Sequence, residues 1–293
     1  MLRYTAKLYI AYRWGDSNAN RLATDETECP RSTTCLTAIG DVIGRAGRRA
    51  LQSHLSGLID RHSIDFVVAN GENLASGFGL TEKTADEMFN LGVDVLTNGN
   101  HCWDQREIMP VMDQDERFVR PANFSAAAPG RGWTIRETPA GHRIAVVNVI
   151  GQVFMGTWDC PFSAVSRIME DIPRDVAAII VDMHAEATSE KMGMGWYLDG
   201  KASFVYGTHT HVPTCDETIL PGGTAYQTDL GMTGCYQSII GMQVESALSR
   251  MVDRLPQRFT AAERGASIFA TLVGIDPETR KACRIERIHI PPE

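Results

Sequence analysis

Eight residues of metal-ligand or acid/base type fall in five short stretches of the 293-residue chain: Asp41 in "GD", Glu72 and Asn73 in "GEN", Asn100 and His101 in "GNH", His184 in "MHAE", and His209 and His211 in "THTH". Two carboxylates, two carboxamides and four imidazoles point to a divalent metal centre. Each residue alone has a plainer explanation, as a core histidine or a polar residue closing a turn. The set resists that explanation, because every member directly follows an apolar run. His54, His62, His142 and His289 lie elsewhere and read as ordinary surface or core histidines.

Charge and coordination number together set how many ions are expected. Two carboxylates would neutralise a single divalent ion, yet eight donors are too many for one four- to six-coordinate centre. Two ions fit better, with one carboxylate bridging them. The pair then keeps a charge of about +2, which a phosphate ester and a hydroxide can neutralise. Oxygen and imidazole donors without thiolate favour iron, manganese, zinc or cobalt over a calcium or magnesium cage, with iron ranked first.

The donors must be held by elements, and those are readable. "CLTAI" (35–39), "DFVVAN" (65–70), "VDVLT" (93–97), "RIAVVNVI" (143–150), "AAIIVDM" (177–183) and "SFVYG" (203–207) are short runs rich in Val, Ile and Phe, expected as strands. Apolar residues at three- and four-residue spacing, from Ala50 to Ile59 and from Ala85 to Phe89, predict helices between them. The second is entered at Thr81 and closed by Gly92. This strand and helix alternation predicts a mostly parallel sheet covered on both sides, with functional groups just beyond the carboxyl ends of the strands. "WTIRETPAGHRIAVVNV" and "ASIFATLVGIDPETRKACRIERIHI" add antiparallel hairpins.

Residues 1–33 show no sustained periodicity and read as an atypical extension, leaving 34–293 as one domain. No stretch approaches the roughly 20 apolar residues of a membrane span, and the start carries Lys7 and Arg13 with no cleavage-site pattern, so a cytoplasmic protein is expected. A net charge of −8 disfavours a general nucleic-acid binder, although Arg45, Arg48 and Arg49 cluster locally. The seven cysteines are irregularly spaced, so no disulfide framework or zinc ribbon is expected, and most are read as reduced, four or five of them as small buried residues.

The five motifs resemble, in order, those of the calcineurin-like metallophosphoesterases. The longer wording, "GDVIGRAG", "NGENLASGFGLT", "GNHCWDQREI", "HAEATSEKMGMGWYLDGKASFVYGTHTHVPT" and "YQTDLGMTG", resembles their YmdB-like branch. The resemblance implies an α/β sandwich of two mixed sheets flanked by helices, two divalent ions, and phosphodiesterase activity toward 2′,3′-cyclic nucleotides. It assigns Asp41, Glu72, Asn73 and His211 to one ion, and Glu72, Asn100, His184 and His209 to the other, with Glu72 as bridge. Three positions depart from the wider superfamily: Ile43 where a histidine is usual, Glu72 where an aspartate is usual, and Cys102 where many members have an acid. The first two fit the YmdB-like branch, with Asn73 in place of the missing histidine.

On that assignment His101 is the histidine left to protonate a leaving alkoxide, while the ions activate the attacking water. Asp104 either orients the His101 ring or caps a following helix. Cys102 is a small buried residue or an oxidation-sensitive neighbour. Phe154 and Trp158 are candidates to stack on a base, with core or subunit packing as the alternative. Thr188, Ser189 and Lys191 could meet a phosphate, or Thr188 or Ser189 could cap a helix. A small phosphodiester or nucleotide is the expected partner, and homo-oligomers are allowed. A phosphomonoesterase, or a regulatory metal-binding protein acting through RNA-processing partners, are the rival readings.

Overall fold

The computed structural model describes residues 29–292 apart from 31 and 255, so the expected extension lies mostly outside the described residues. The chain first lays down β1 (Thr34–Ile39), β2 (Asp41–Val42), α1 (Gly44–His62), β3 (Phe66–Asn70), α2 (Glu82–Asn90), β4 (Val95–Thr97), α3 (Met109–Gln114) and β5 (Phe118–Val119). It then crosses to a second sheet through β6 (Trp133–Glu137), β7 (Arg143–Ile150), α4 (Pro161–Asp171), β8 (Ala178–His184), α5 (Thr188–Tyr197), β9 (Phe204–Thr208), β10 (Thr218–Ile219) and β11 (Ala225–Gln227). β12 (Met232–Cys235), α6 (Val244–Val252), β13 (Ala266–Ile275) and β14 (Ala282–Ile290) return to the first sheet.

The first sheet has eight strands in the order β2-β12-β13-β1-β3-β4-β5, with β14 also on β13, and the second has six, in the order β10-β11-β9-β8-β7-β6. All six apolar runs are strands, and both expected hairpins form, as β6/β7 and β13/β14. The single, mostly parallel sheet drawn from periodicity is corrected to two mixed sheets, in keeping with the family resemblance. β13 enters antiparallel between β1 and β12, a long-range pairing that no local pattern announces. β2, β5 and β10 have two residues each, too few to show a period.

Strand alternation explains the layers. On β8, Ala178 and Ile180 join Leu36, Ala38, Phe66 and Val68 between the sheets, while Ile179, Val181 and Met183 pack outward on Val165 and Ile168 of α4 and Met194 of α5. On the other side, Leu51, Leu55 and Leu58 of α1 bury the outer face of the first sheet. Each such fully buried leucine stabilises the fold by about 1.5–3 kcal/mol. α2 begins as expected: the Thr81 hydroxyl accepts from the Thr84 amide, and Thr84 returns the bond to Thr81. It stops before Gly92, whose φ of 103° belongs to glycine.

Five of the seven cysteines are free, as expected for most of them, but Cys29 is disulfide-bonded to Cys283 of β14, a pair that the spacing does not suggest. Pairing of Thr34 with Ile275 brings the segment before β1 alongside the β13/β14 turn, across 254 residues of sequence. The expectation of four or five buried cysteines is corrected, because among the free ones only Cys102 and Cys235 are buried, Cys35 is half-buried, and Cys160 and Cys215 are exposed. Among the described residues no helix is long and apolar enough to cross a membrane.

Candidate metal centre

The faces that meet between the sheets turn polar toward the carboxyl ends of their strands. Val68 gives way to Asn70 and then Glu72, Val95 to Thr97, Val146 to Asn148, Ile180 to Asp182 and His184, and Tyr206 to Thr208. Period-two alternation therefore aims these side chains at one place. Asp182 is wholly buried beneath the site, and its carboxylate accepts from Thr97 Oγ1 at 2.5 Å, Thr208 Oγ1 at 2.7 Å and Asn70 Nδ2 at 3.2 Å. Burial pushes its carboxyl up to about 6, against the pull of His184 and of the two hydroxyls. The motif reading missed this supporting layer, although its signal is the same alternation carried to the ends of the apolar runs.

That layer fixes the tautomer of His184. Because the Thr208 hydroxyl donates to Asp182, its oxygen accepts from His184 Nδ1–H at 2.9 Å, leaving Nε2 as the free lone pair. Nε2 lies 3.2 Å from Glu72 Oε1, 3.1 Å from Asn100 Oδ1 and 3.2 Å from His209 Nδ1. His211 is set the same way: its Nδ1–H donates to the Ile240 carbonyl at 2.8 Å, and Nε2 faces Asn73 at 3.3 Å and Asp41 Oδ1 at 3.7 Å. Glu72, His184 and His209 bring ligand atoms within 4.8 Å of one another, and so do Asp41, Glu72 and His211. The two groups share Glu72, and Asn73 and Asn100 flank one group each.

Several observations show that these residues fit divalent ions. Asp41 Oδ1 is buried with no hydrogen-bond partner, a costly state for a carboxylate oxygen without a cation. A Cβ at Gly99 would lie 2.1 Å from His184 Nε2 and 2.4 Å from Glu72 Oε2, so bare backbone there leaves room for the ligand cluster. The donors are oxygen and imidazole nitrogen only.

Protonation states follow from the same crowding. Burial opposes a charge on His184, but the Glu72 carboxylate and the nearby Asp41 prevail and raise it to about 9. Glu72 is correspondingly held well below the usual carboxylate range by His184, despite its burial. Burial and the neighbouring His184 push His209 down to about 3, keeping it neutral. A proton on His184 thus competes with metal. The apparent affinity for an ion at the His184 site is expected to rise about tenfold per pH unit below about pH 9 and to level off above it, in metal titrations of the stripped protein at several pH values. An affinity flat across that window would show that no proton leaves His184.

The two histidines of the last loop carry backbone strain, with φ of 95° at His209 and 65° at His211. Asp229, from the "YQTDLGMTG" motif, holds the loop: its carboxylate accepts from Thr210 Oγ1 at 2.7 Å, the Thr210 amide at 3.4 Å, and the Gly231 amide at 2.7 Å. Lys191 Nζ donates to the same carboxylate at 2.6 Å, and both residues are buried. Lys191 is therefore committed to this pair, which removes it as a candidate to meet a phosphate. Asp229→Asn is expected to strand a buried ammonium, costing about 3–5 kcal/mol in denaturant unfolding, and to reduce retained metal. Unchanged stability and metal content would show that the pair does not hold the loop.

His101 stands at the rim, its side chain 32% exposed. Its backbone N–H donates to Glu72 Oε2 at 3.1 Å and its Nδ1 bonds Asp104 Oδ2 at 2.8 Å. Asp104 thus orients the ring; the following 3₁₀ turn, Arg106–Ile108, has no side-chain cap. Cys102 is fully buried, and burial pushes its thiol well up. Phe154 is 92% exposed, Trp158 packs on Phe124 with ring centroids 4.6 Å apart, and neither lines the cavity over the centre. α5 starts after Ala187 without a side-chain cap, so Thr188 and Ser189 do not cap it. Arg48 is tied to Glu87 and the Leu74 carbonyl, on a hollow separate from the centre. A cavity of about 830 Å³ opens over Glu72, Asn73, His101, His209 and His211 and continues along residues 239–259.

Comparison with known proteins agrees with this arrangement. Residues 37–288 match the model of the YmdB-like protein family. A relative from Bacillus subtilis (strain 168), named 2′,3′-cyclic-nucleotide 2′-phosphodiesterase, is 44% identical over 252 residues, covering 86% of this chain and 95% of that protein. A crystal structure of a hypothetical protein from Thermus thermophilus superposes with a TM-score of 0.84 at 42% identity, over 89% of this chain and all of that one. One described as a novel phosphatase from Mycoplasma pneumoniae gives 0.83 at 31% identity, over 89% and 94%. With residues of all five motifs gathered in one cluster and the family matched over most of its length, the chain belongs to the YmdB-like family of calcineurin-like metallophosphoesterases.

Proposed function

We propose that the protein is a dinuclear-metal phosphodiesterase that opens 2′,3′-cyclic nucleotides. The observation that carries this reading is the sharing of Glu72 by two ligand groups on the floor of one cavity. The name of the Bacillus subtilis relative supports the substrate class. Asp41, Glu72, Asn73 and His211 would hold one ion, and Glu72, Asn100, His184 and His209 the other. Their oxygen and nitrogen donors suit iron, then manganese or zinc, better than magnesium.

When bound, such ions supply water activation and neutralise phosphoryl charge. The chain's own residues do the rest. A water gives up one proton to solvent as its oxygen adds to phosphorus, the bond to O2′ breaks, and His101 delivers a proton to the departing oxygen and is later reprotonated from solvent, leaving a 3′-nucleotide. With Nδ1 committed to Asp104, Nε2 is the atom that carries this proton. Asp182 and Thr208 act indirectly, by keeping the His184 lone pair aimed at the metal site.

Steady-state hydrolysis of 2′,3′-cyclic AMP and of AMP by the metal-loaded protein separates diester from monoester chemistry. The cyclic diester is expected to be favoured by at least about a hundredfold in kcat/KM. Preference for the monoester would make the protein a nucleotidase and overturn the proposal.

A further inference from the structure

The base-stacking candidates read from sequence do not line the cavity, which has other aromatic faces. Phe78 and Phe259 are nearly parallel, with an interplanar angle of 18° and centroids 6.5 Å apart. Both line the cavity, and both are only partly buried. The Arg250 guanidinium sits 4.6 Å from the Phe259 centroid. In the other direction, Phe78 meets His101 edge to face at 5.2 Å. Metal ligands, proton donor and aromatic rings thus follow one another along the cavity, as phosphate, ribose and base follow one another in a nucleotide.

The platform is built rather than incidental. Phe78 is flanked by Gly77 and Gly79, with φ of 95° and 72°, and its carbonyl accepts from Gln105 Nε2 at 3.0 Å. A Cβ on Gly77 would lie 2.9 Å from the Met242 methyl, and one on Gly79 would lie 2.9 Å from the Gln105 amide nitrogen. Phe78 is therefore held in a constrained turn, and the Met242 side chain packs against that turn. Ile240, Met242 and Met251 add apolar surface beside the two rings, with Gln257 and Arg258 as polar neighbours on the same wall, so a flat ring meets apolar contacts and polar groups within reach.

We propose that Phe78 and Phe259 form the nucleobase subsite, with Phe259 as the principal stacking face and Arg250 held against its ring. The inference rests on the phosphodiester reading and adds to it that the base, as well as the cyclic phosphate, is recognised. Stacking on an aromatic side chain accounts for affinity gains of about tenfold or more per base.

Calorimetric titration of the metal-loaded protein with adenosine 3′-monophosphate and with ribose 3-phosphate, which lacks the base, tests this directly. In the wild type the adenine is expected to add at least about tenfold in affinity. Phe259→Ala is expected to remove that gain while leaving the affinity for ribose 3-phosphate as it was, and Phe259→Tyr to restore it. A Phe259→Ala protein with the wild-type ratio between the two ligands would overturn the subsite, as would equal loss for both ligands. Hydrolysis of 2′,3′-cyclic AMP, assayed alongside, tests the phosphodiester reading separately. Base-dependent binding without turnover would fault that reading and keep the subsite.

Discussion

Glu72→Gln is expected to leave a folded protein that no longer retains two ions and hydrolyses 2′,3′-cyclic AMP about a thousandfold or more slower. The substitution keeps the shape of the side chain and removes one charge. Its effect is large because this one carboxylate belongs to both ligand groups, facing His184 Nε2 at 3.2 Å through Oε1 and accepting the His101 N–H through Oε2. Loss of a group that only orients a ligand costs about 10- to 100-fold. A ligand shared by two ions costs more, since both sites lose charge and a donor together. Metal analysis, with circular dichroism to verify the fold, checks the outcome; two retained ions or near-normal turnover would remove Glu72 from the bridging position.

The second large effect is expected at His101. His101→Ala should lower kcat by about a hundred- to ten-thousandfold while metal content and KM stay close to wild type. Its ring lies at the rim of the cavity and outside both ligand groups, so removing it would take away the proposed proton donor and none of the grouped ligand atoms. Asp104→Asn should give a smaller loss of the same kind, because Asp104 acts by orienting the ring through Nδ1. A His101→Ala protein with wild-type hydrolysis would require another acid, and one that loses metal would show that the ring supports the ligand cluster instead.

The ligand positions were legible because they combine a distinctive chemistry with a simple address, the residue just past an apolar run. Asp41, Glu72, His184 and His209 all occupy that address, and the structure brings them into two groups that share Glu72. The supporting polar layer was less visible because Asn70, Thr97, Asp182 and Thr208 end runs that otherwise read as continuous buried strand. Nothing local could reveal that the strands divide into two sheets, because that depends on β13 arriving antiparallel beside β1 from more than 200 residues away. The Cys29–Cys283 pair is hidden for the same reason. The cavity wall over residues 239–259 was missed because Met242, Met251 and Phe259 come from loops and from α6, and follow no shared period.

The measurement that bears most directly on the dinuclear centre is a metal titration followed by activity. The purified protein would be stripped, reloaded stepwise with iron(II), manganese or zinc, and its bound ions per chain counted against its rate on 2′,3′-cyclic AMP. Hydrolysis is expected to be absent in the stripped protein and to reach its maximum only as the second ion binds. Full activity with one ion per chain, or hydrolysis that persists without metal, would contradict a centre built on a shared Glu72.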